Sequence, residues 1–260
     1  MKIQPVNINN SYTFQAKKKD IRKADDIVRR VNQEFPAFSP TRVKYFWHPI
    51  NEKKLELLEK PLLNIMRIRE RIGREINEDK FLLGIFDEIE TNKTANCGEK
   101  SWLTLGALAA NGYDKSVKSA IGLKWEAYDI RNNETLIKGK IDLDHSAILT
   151  TMSKKKVKKA QDLIVLDPWF NKAMSYSEAS AEYFKLLNDN RMLKIHKEII
   201  NKLKEKNPDG EIDLNNYNIR FNIVFIDSSC KYKLQSKKDM EEFGKVIAEK
   251  YPELILKEQK

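Results

Sequence analysis

The chain is poor in the residues that most short functional motifs require. Its 260 residues include only 9 glycines, 3 histidines and 2 cysteines. There is no G-x-x-x-x-G-K-[ST] and no G-x-G-x-x-G, so neither glycine-rich phosphate cradle is present. The histidines (His48, His145, His196) and cysteines (Cys97, Cys230) are far apart, with no C-x-x-C and no H-E-x-x-H, which argues against a zinc site. Two cysteines are too few to staple a chain of this length, so a reducing compartment is expected. No apolar run reaches the ~18 residues that a membrane span needs. The first residues, MKIQPVNINNSYTFQAKKK, contain no apolar core of a secretory signal. The expected location is therefore the cytoplasm, or outside it by a leaderless route.

What the chain does have is charge. Lys and Arg number 48 against 38 Asp and Glu, a net +10, with 33% charged and 41% hydrophobic residues. That balance suits a folded protein with a solvated surface. Residues 1–80 hold 18 basic and 11 acidic side chains and so carry +7 of the excess. A second basic run, SKKKVKKAQ, occupies 153–161. Such runs are either solvated faces or a surface for an acidic partner. No zinc finger, RNP signature or basic region with heptads is present, so no specific nucleic-acid motif supports the charge.

The hydrophobic period changes along the chain. Residues 1–15 read as a disordered tail. Residues 16–34 carry Ile21, Ala24, Ile27, Val28 and Val31 at helical spacing. The Pro-punctuated segment 34–50 reads as a packed connector. A longer helical pattern over 52–77 places Leu55, Leu58, Leu62, Ile65, Ile72 and Ile76 on one stripe, and Pro61 inside it predicts a kink or two abutting helices. Residues 81–90 predict a short helix, and Cys97–Asn111 another, stopped by Gly112 as its C′ residue. Strands are then expected at 121–130, 135–142, 145–151, 162–167 and 219–226, with Ile121, Leu123, Trp125 and Ala127 on one face of the first. A single helix is expected over 178–206, ending at the turn NPDG, and a last one over 237–254. The fold class is α+β with an antiparallel sheet. The expected organisation is a tail at 1–15, a helical N-terminal extension at 16–79, a catalytic α+β core at 80–230, and a C-terminal helix at 231–260 packed on that core.

Three segments carry chemistry. In Asn96-Cys97-Gly98-Glu99, Asn96 is placed as N-cap and Glu99 as N3 of a capping box, which puts Cys97 at the first helical position. There the unpaired N–H groups and the helix dipole favour a thiolate, which the nearby Glu99 anion partly opposes. In Asp144-His145-Ser146-Ala147-Ile148-Leu149, the histidine opens an apolar strand. In Leu163-Ile164-Val165-Leu166-Asp167-Pro168-Trp169, a buried strand ends in a carboxylate. Each piece has a plain alternative: a cysteine at a helix start can be a small buried hydrophobe, a strand histidine a satisfied core residue, and Asp-Pro a turn. Together, a thiol, a base and an acid that fixes the base's orientation form the set that nucleophilic catalysis needs.

These residues resemble a family. The run from Cys97 to Tyr113, CGEKSWLTLGALAANGY, with DHSAIL and VLDPW after it, is similar to the transglutaminase-like group within the papain-like superfamily, which includes bacterial effector and toxin domains with Cys-His-Asp sites. The likeness spans roughly residues 90–170. It implies a nucleophile helix packed on an antiparallel sheet. It also implies thiol-dependent acyl transfer on protein or peptide amides, by a protease, a glutamine deamidase or a cross-linking enzyme, with no metal and no cofactor. Cys97, His145 and Asp167 take the roles of nucleophile, base and orienting acid. The oxyanion is held by the Cys97 N–H with a side-chain donor from Asn92 or Asn96. Trp169 is either a cleft wall or a residue packed at the strand end. Cys230, His48 and His196 are bystanders. The competing readings are a non-enzymatic basic interaction protein, in which the helices of 16–79 do the work, and a pseudoenzyme that binds an acidic partner.

Overall fold

The computed structural model describes residues 16–40, 52–73, 78–152, 163–187, 189–206, 208, 213–226 and 237–256. Among these are seven α-helices and five strands: α1 (Lys18–Glu34), α2 (Glu52–Gly73), α3 (Glu78–Asn92), α4 (Cys97–Ala110), β1 (Val117–Asp129), β2 (Thr135–Thr150), β3 (Ile164–Asp167), β4 (Lys172–Ser175), α5 (Tyr176–Phe184), α6 (Asp189–Lys206), β5 (Tyr217–Ile226) and α7 (Lys237–Lys250). The strands form one sheet in the order β4-β3-β2-β1-β5. The pairings β1–β5, β2–β3 and β3–β4 are antiparallel, so the class is α+β. The chain divides into two compact units. One takes in Ala120–His145 and Ser177–Ile226, the other Phe14–Ser119, Ser146–Tyr176 and Asp227–Lys260, and strands β1 and β2 continue from one into the other.

The larger unit is built around α4. Every residue from Glu99 to Ala109 is buried, so this helix is an interior element rather than an amphipathic one. Its neighbours supply apolar stripes: Ala24, Ile27, Val28 and Val31 from α1, Ile85, Phe86 and Ile89 from α3, and Met240, Phe243 and Ile247 from α7. Burying each large side chain contributes roughly 1.5–3 kcal/mol. The contact of α4 with α7 is close enough to need glycine. A Cβ built on Gly244 would lie 2.4 Å from the carbonyl oxygen of Ala109. Phe35, Phe86 and Tyr251 join in an aromatic group, with Phe35 edge-on to both at 5.3 and 5.1 Å.

In the smaller unit Ile121, Leu123, Trp125 and Ala127 alternate as the buried face of β1, as the sequence predicts. Trp125 lies across Gly139 of β2, where any Cβ would fall 2.4 Å from the indole. From α5, Phe184 packs its ring 5.0 Å from Phe221 of β5.

Several boundaries differ from expectation. The strands expected at 135–142 and 145–151 are one strand. The point where the pattern lapses is Asp144, whose φ is +51. The helix expected over 178–206 is two, α5 and α6, with turns at Lys185–Leu186 between them. Strand β4 has only four residues, too short for its alternation to show in the sequence. Helix α2 runs unbroken through Pro61, and Leu58, Ile65 and Ile68 are buried among its described side chains, while Leu62 is 43% exposed. The tail 1–15, the connector from 41 to 50 and the basic run 153–161 lie outside the described residues, as do most of NPDG and positions 74–77.

Candidate functional site

Cys97 owes its position to what happens just before it. Helix α3 ends at Asn92, and Lys93 after it adopts φ +51 while its N–H still reaches the carbonyl of Ile89 at 2.8 Å. A one-residue parallel bridge then pins the chain, with Phe38 N–H donating to Lys93 O at 2.8 Å and Ala95 N–H to Phe38 O at 3.0 Å. Asn96 follows with extended backbone as N-cap and closes a capping box with Glu99, its own N–H donating to Glu99 Oε2 at 3.0 Å. Cys97 is therefore the first helical residue, a free and half-buried thiol. A cap of this kind contributes on the order of 1 kcal/mol.

The Glu99 carboxylate, which the sequence places as an unwelcome anion beside the thiol, is matched by a cation. Arg69 of α2 donates through Nε to Glu99 Oε1 at 2.7 Å and through Nη2 to Oε2 at 3.5 Å. The carboxylate side chain is 8% exposed and the guanidinium 59%. Arg69 Nη2 also lies 3.9 Å from where a Cβ on Gly98 would stand, so the positive group sits over the first turn of the Cys97 helix.

Asp167 ends β3 fully buried. Its Oδ1 accepts from the backbone N–H groups of Trp169 (3.0 Å) and Phe170 (3.1 Å), which folds the turn into β4, and Asn171 completes that turn at φ +59. The turn is held from two sides. Asn32 of α1 donates to Pro168 O and to Asn171 Oδ1, both at 2.9 Å, and accepts Lys100 Nζ of α4 at 2.9 Å. The Trp169 indole N–H donates to Ser39 Oγ at 3.0 Å, and Ser39 Oγ donates to Asn96 Oδ1 at 3.3 Å. Trp169 thus joins the two ends, its backbone N–H bonded to the Asp167 carboxylate and its indole, through Ser39, to the N-cap of the Cys97 helix. Trp169 is 1% exposed.

His145 is the last residue of the Ala120–His145 segment of the smaller unit and is 5% exposed. It follows the left-handed Asp144, whose N–H donates to Asp142 Oδ1 at 2.8 Å. A kink of this kind in a strand re-aims the side chain that follows. The imidazole lies 5.4 Å from the Tyr183 ring, tilted by 58°. The next residue, Ser146, belongs to the larger unit, where its carbonyl accepts from Ser101 Oγ at 3.1 Å, one turn along α4 from Cys97.

Of the residues expected to act together, Cys97, Asn96, Asp167 and Trp169 share the larger unit, with hydrogen bonds linking Asn96, Trp169 and Asp167, whereas His145 belongs to the smaller one. Asn92 is turned back on its own helix, its amide donating to Glu88 O at 3.0 Å and to Glu88 Oε2 at 2.8 Å. His196 lies on α6, where burial lowers its pKa. Cys230 and His48 fall outside the described residues. Sequence reasoning missed Arg69, Ser39, Asn32 and Lys100. Lys100 stands inside the segment that drew notice, but nothing local marks the other three, whose partners are 30 to 139 residues away. Among the described residues, no group of three or more His, Cys, Asp or Glu is placed to hold a metal ion, and no helix is long and apolar enough to cross a membrane.

Compared with known proteins, the chain matches no family model, and no curated protein is similar to it.

Proposed function

We propose that this protein is a cysteine-dependent acyl-transfer enzyme acting on protein or peptide amides, with a transglutaminase-like variant of the papain-like core. Cys97 is the nucleophile, His145 its base and Asp167 the acid that orients the imidazole. The observation that carries this reading is the half-buried thiol at the first position of a capped helix, tied through Asn96, Ser39 and Trp169 to the turn that Asp167 organises.

In this scheme His145 takes the thiol proton as Cys97 Sγ attacks the amide carbonyl. The oxyanion is held by the Cys97 backbone N–H, one of the unpaired donors at the helix start. His145 then gives its proton to the departing amine, which leaves a thioester. Water attacking the thioester releases the acid, giving proteolysis or deamidation; a lysine amine attacking it gives a cross-link. The Asn92 amide N–H is committed to Glu88, so the backbone N–H is the leading oxyanion donor and the Asn96 side-chain amide N–H the second.

The test compares iodoacetamide alkylation of folded protein carrying Cys230→Ser, with and without His145→Ala. Cys97 is expected to react in the native state and to react at least about tenfold more slowly without the imidazole base, a floor below the roughly 10²–10⁴-fold that a positioned base contributes. Protection of Cys97 until unfolding, or equal rates in the two proteins, overturns the reading. Casein cleavage, ammonia release from a glutamine dipeptide, and hydroxamate formation with hydroxylamine then separate protease, deamidase and transferase.

A second reading rests on the +7 excess of residues 1–80: a basic protein that binds an acidic partner without turnover. It predicts binding to polyanions that weakens steeply with salt.

A further inference from the structure

We infer that Arg69 is a positioning residue for Cys97, one that acts by cancelling the charge of Glu99. The inference rests on Cys97 being the nucleophile and adds a member from outside the Cys-His-Asp set. Glu99 serves two opposed purposes. As N3 of the capping box it fixes the helix start by accepting the Asn96 N–H, yet it also places a buried negative charge two residues from a thiol whose reactive form is an anion. Such a carboxylate reduces the positive field that the unpaired N–H groups of a helix start provide.

Arg69 resolves the conflict. Its guanidinium engages both oxygens of Glu99 and sits beside Gly98, so the net charge around the first turn returns to that of the helix end itself. The carboxylate keeps its capping bond while its field at Cys97 is offset. The arrangement draws on α2, a helix distant in sequence from the nucleophile. Planar, two-point engagement of a carboxylate is what a guanidinium does and an ammonium does only in part.

The test measures the second-order rate of iodoacetamide alkylation of Cys97 in the full chain carrying Cys230→Ser, at low salt and one near-neutral pH, read by intact mass. Arg69→Gln is expected to slow the reaction about two- to fivefold, the effect of one uncompensated charge at a helix start. Adding Glu99→Gln to Arg69→Gln is expected to restore the parent rate. Arg69→Lys, which keeps the charge, is expected to retain most of it. A salt bridge with only a structural role would move the melting temperature and leave the rate of the folded protein unchanged. An unchanged rate in Arg69→Gln, or a double variant as slow as the single one, overturns the inference. If Arg69→Gln does not fold, a folded Arg69→Lys protein that reacts several-fold more slowly than its parent overturns it instead. The measurement requires neither substrate nor His145. It can therefore fail while acyl transfer stands, and the His145→Ala comparison can fail while it stands.

Discussion

The indole N–H of Trp169 donates to the hydroxyl of Ser39 at 3.0 Å, across 130 residues of sequence. Ser39 passes the connection on to the side chain of Asn96. One buried hydroxyl therefore serves a turn on one side and a helix N-cap on the other. Ser39→Ala removes the hydroxyl that accepts the buried indole N–H and donates to Asn96, at a cost of about 1–3 kcal/mol. Urea unfolding is expected to show that loss, and alkylation of Cys97 in the folded variant is expected to become less uniform from molecule to molecule. Ser39→Thr, which keeps the hydroxyl, is expected to recover most of the stability.

Gly244 allows α7 to cross α4 at a distance that no other residue permits. With a Cβ only 2.4 Å from a backbone carbonyl, the neighbour cannot swing aside as a side chain would. Gly244→Ala is expected to destabilise the protein by about 1–3 kcal/mol, the usual cost of overpacking, even though alanine is the better helix former. Thermal melting checks this, and a rise in melting temperature would contradict the described packing.

Asp144 holds a left-handed backbone in the middle of a strand. Asp and Asn tolerate that conformation, whereas β-branched residues do not. Asp144→Gly is expected to be neutral or to stabilise the chain slightly. Asp144→Val is expected to cost about 1–2 kcal/mol and to slow alkylation of Cys97 if His145 is its base. Chemical denaturation of the pair measures the first effect and iodoacetamide the second.

Tyr251 is set against Asp87, which accepts from both the Tyr251 hydroxyl, at 3.2 Å, and Lys250 Nζ. Burial, partly opposed by Lys250 and reinforced by Asp87, pushes the phenol up from 10.0 to about 12. The folded protein then holds the phenolic proton more tightly than the unfolded chain does. Stability from this group is fully present below pH 10 and is lost as the pH rises from 10 to about 12. Tyr251→Phe is expected to flatten that alkaline decline, as seen in melting temperatures measured across the range.

What could be read from the sequence was whatever is encoded locally. The helix opening at Cys97 was legible because Asn96 and Glu99 have the spacing of a capping box, and its end because Gly112 takes φ +77. Strand β1 was legible because a face buried on one side alternates with period two. Strand β4 was not, since four residues show too little of any period. The break between α5 and α6 contains neither glycine nor proline, so nothing announced it. Arg69 escaped notice because an exposed arginine on a helix looks like every other solvated charge. Its role appears only when α2 is set beside α4. Ser39, in a Pro-flanked segment, looked like part of a connector for the same reason.

Helix α1 has a bearing on any attempt to trim the chain. Besides its apolar stripe, it offers Asp25 to the Ala173 N–H of β4 at 2.9 Å, Asn32 to the hairpin that follows Asp167, and Arg30 to the carbonyls of Glu253 and Ile255 near the far end. Removing the first 34 residues would therefore strip three separate moorings as well as a layer of hydrocarbon. A shortened version intended to keep the Cys97 helix in its surroundings would have to begin upstream of Lys18.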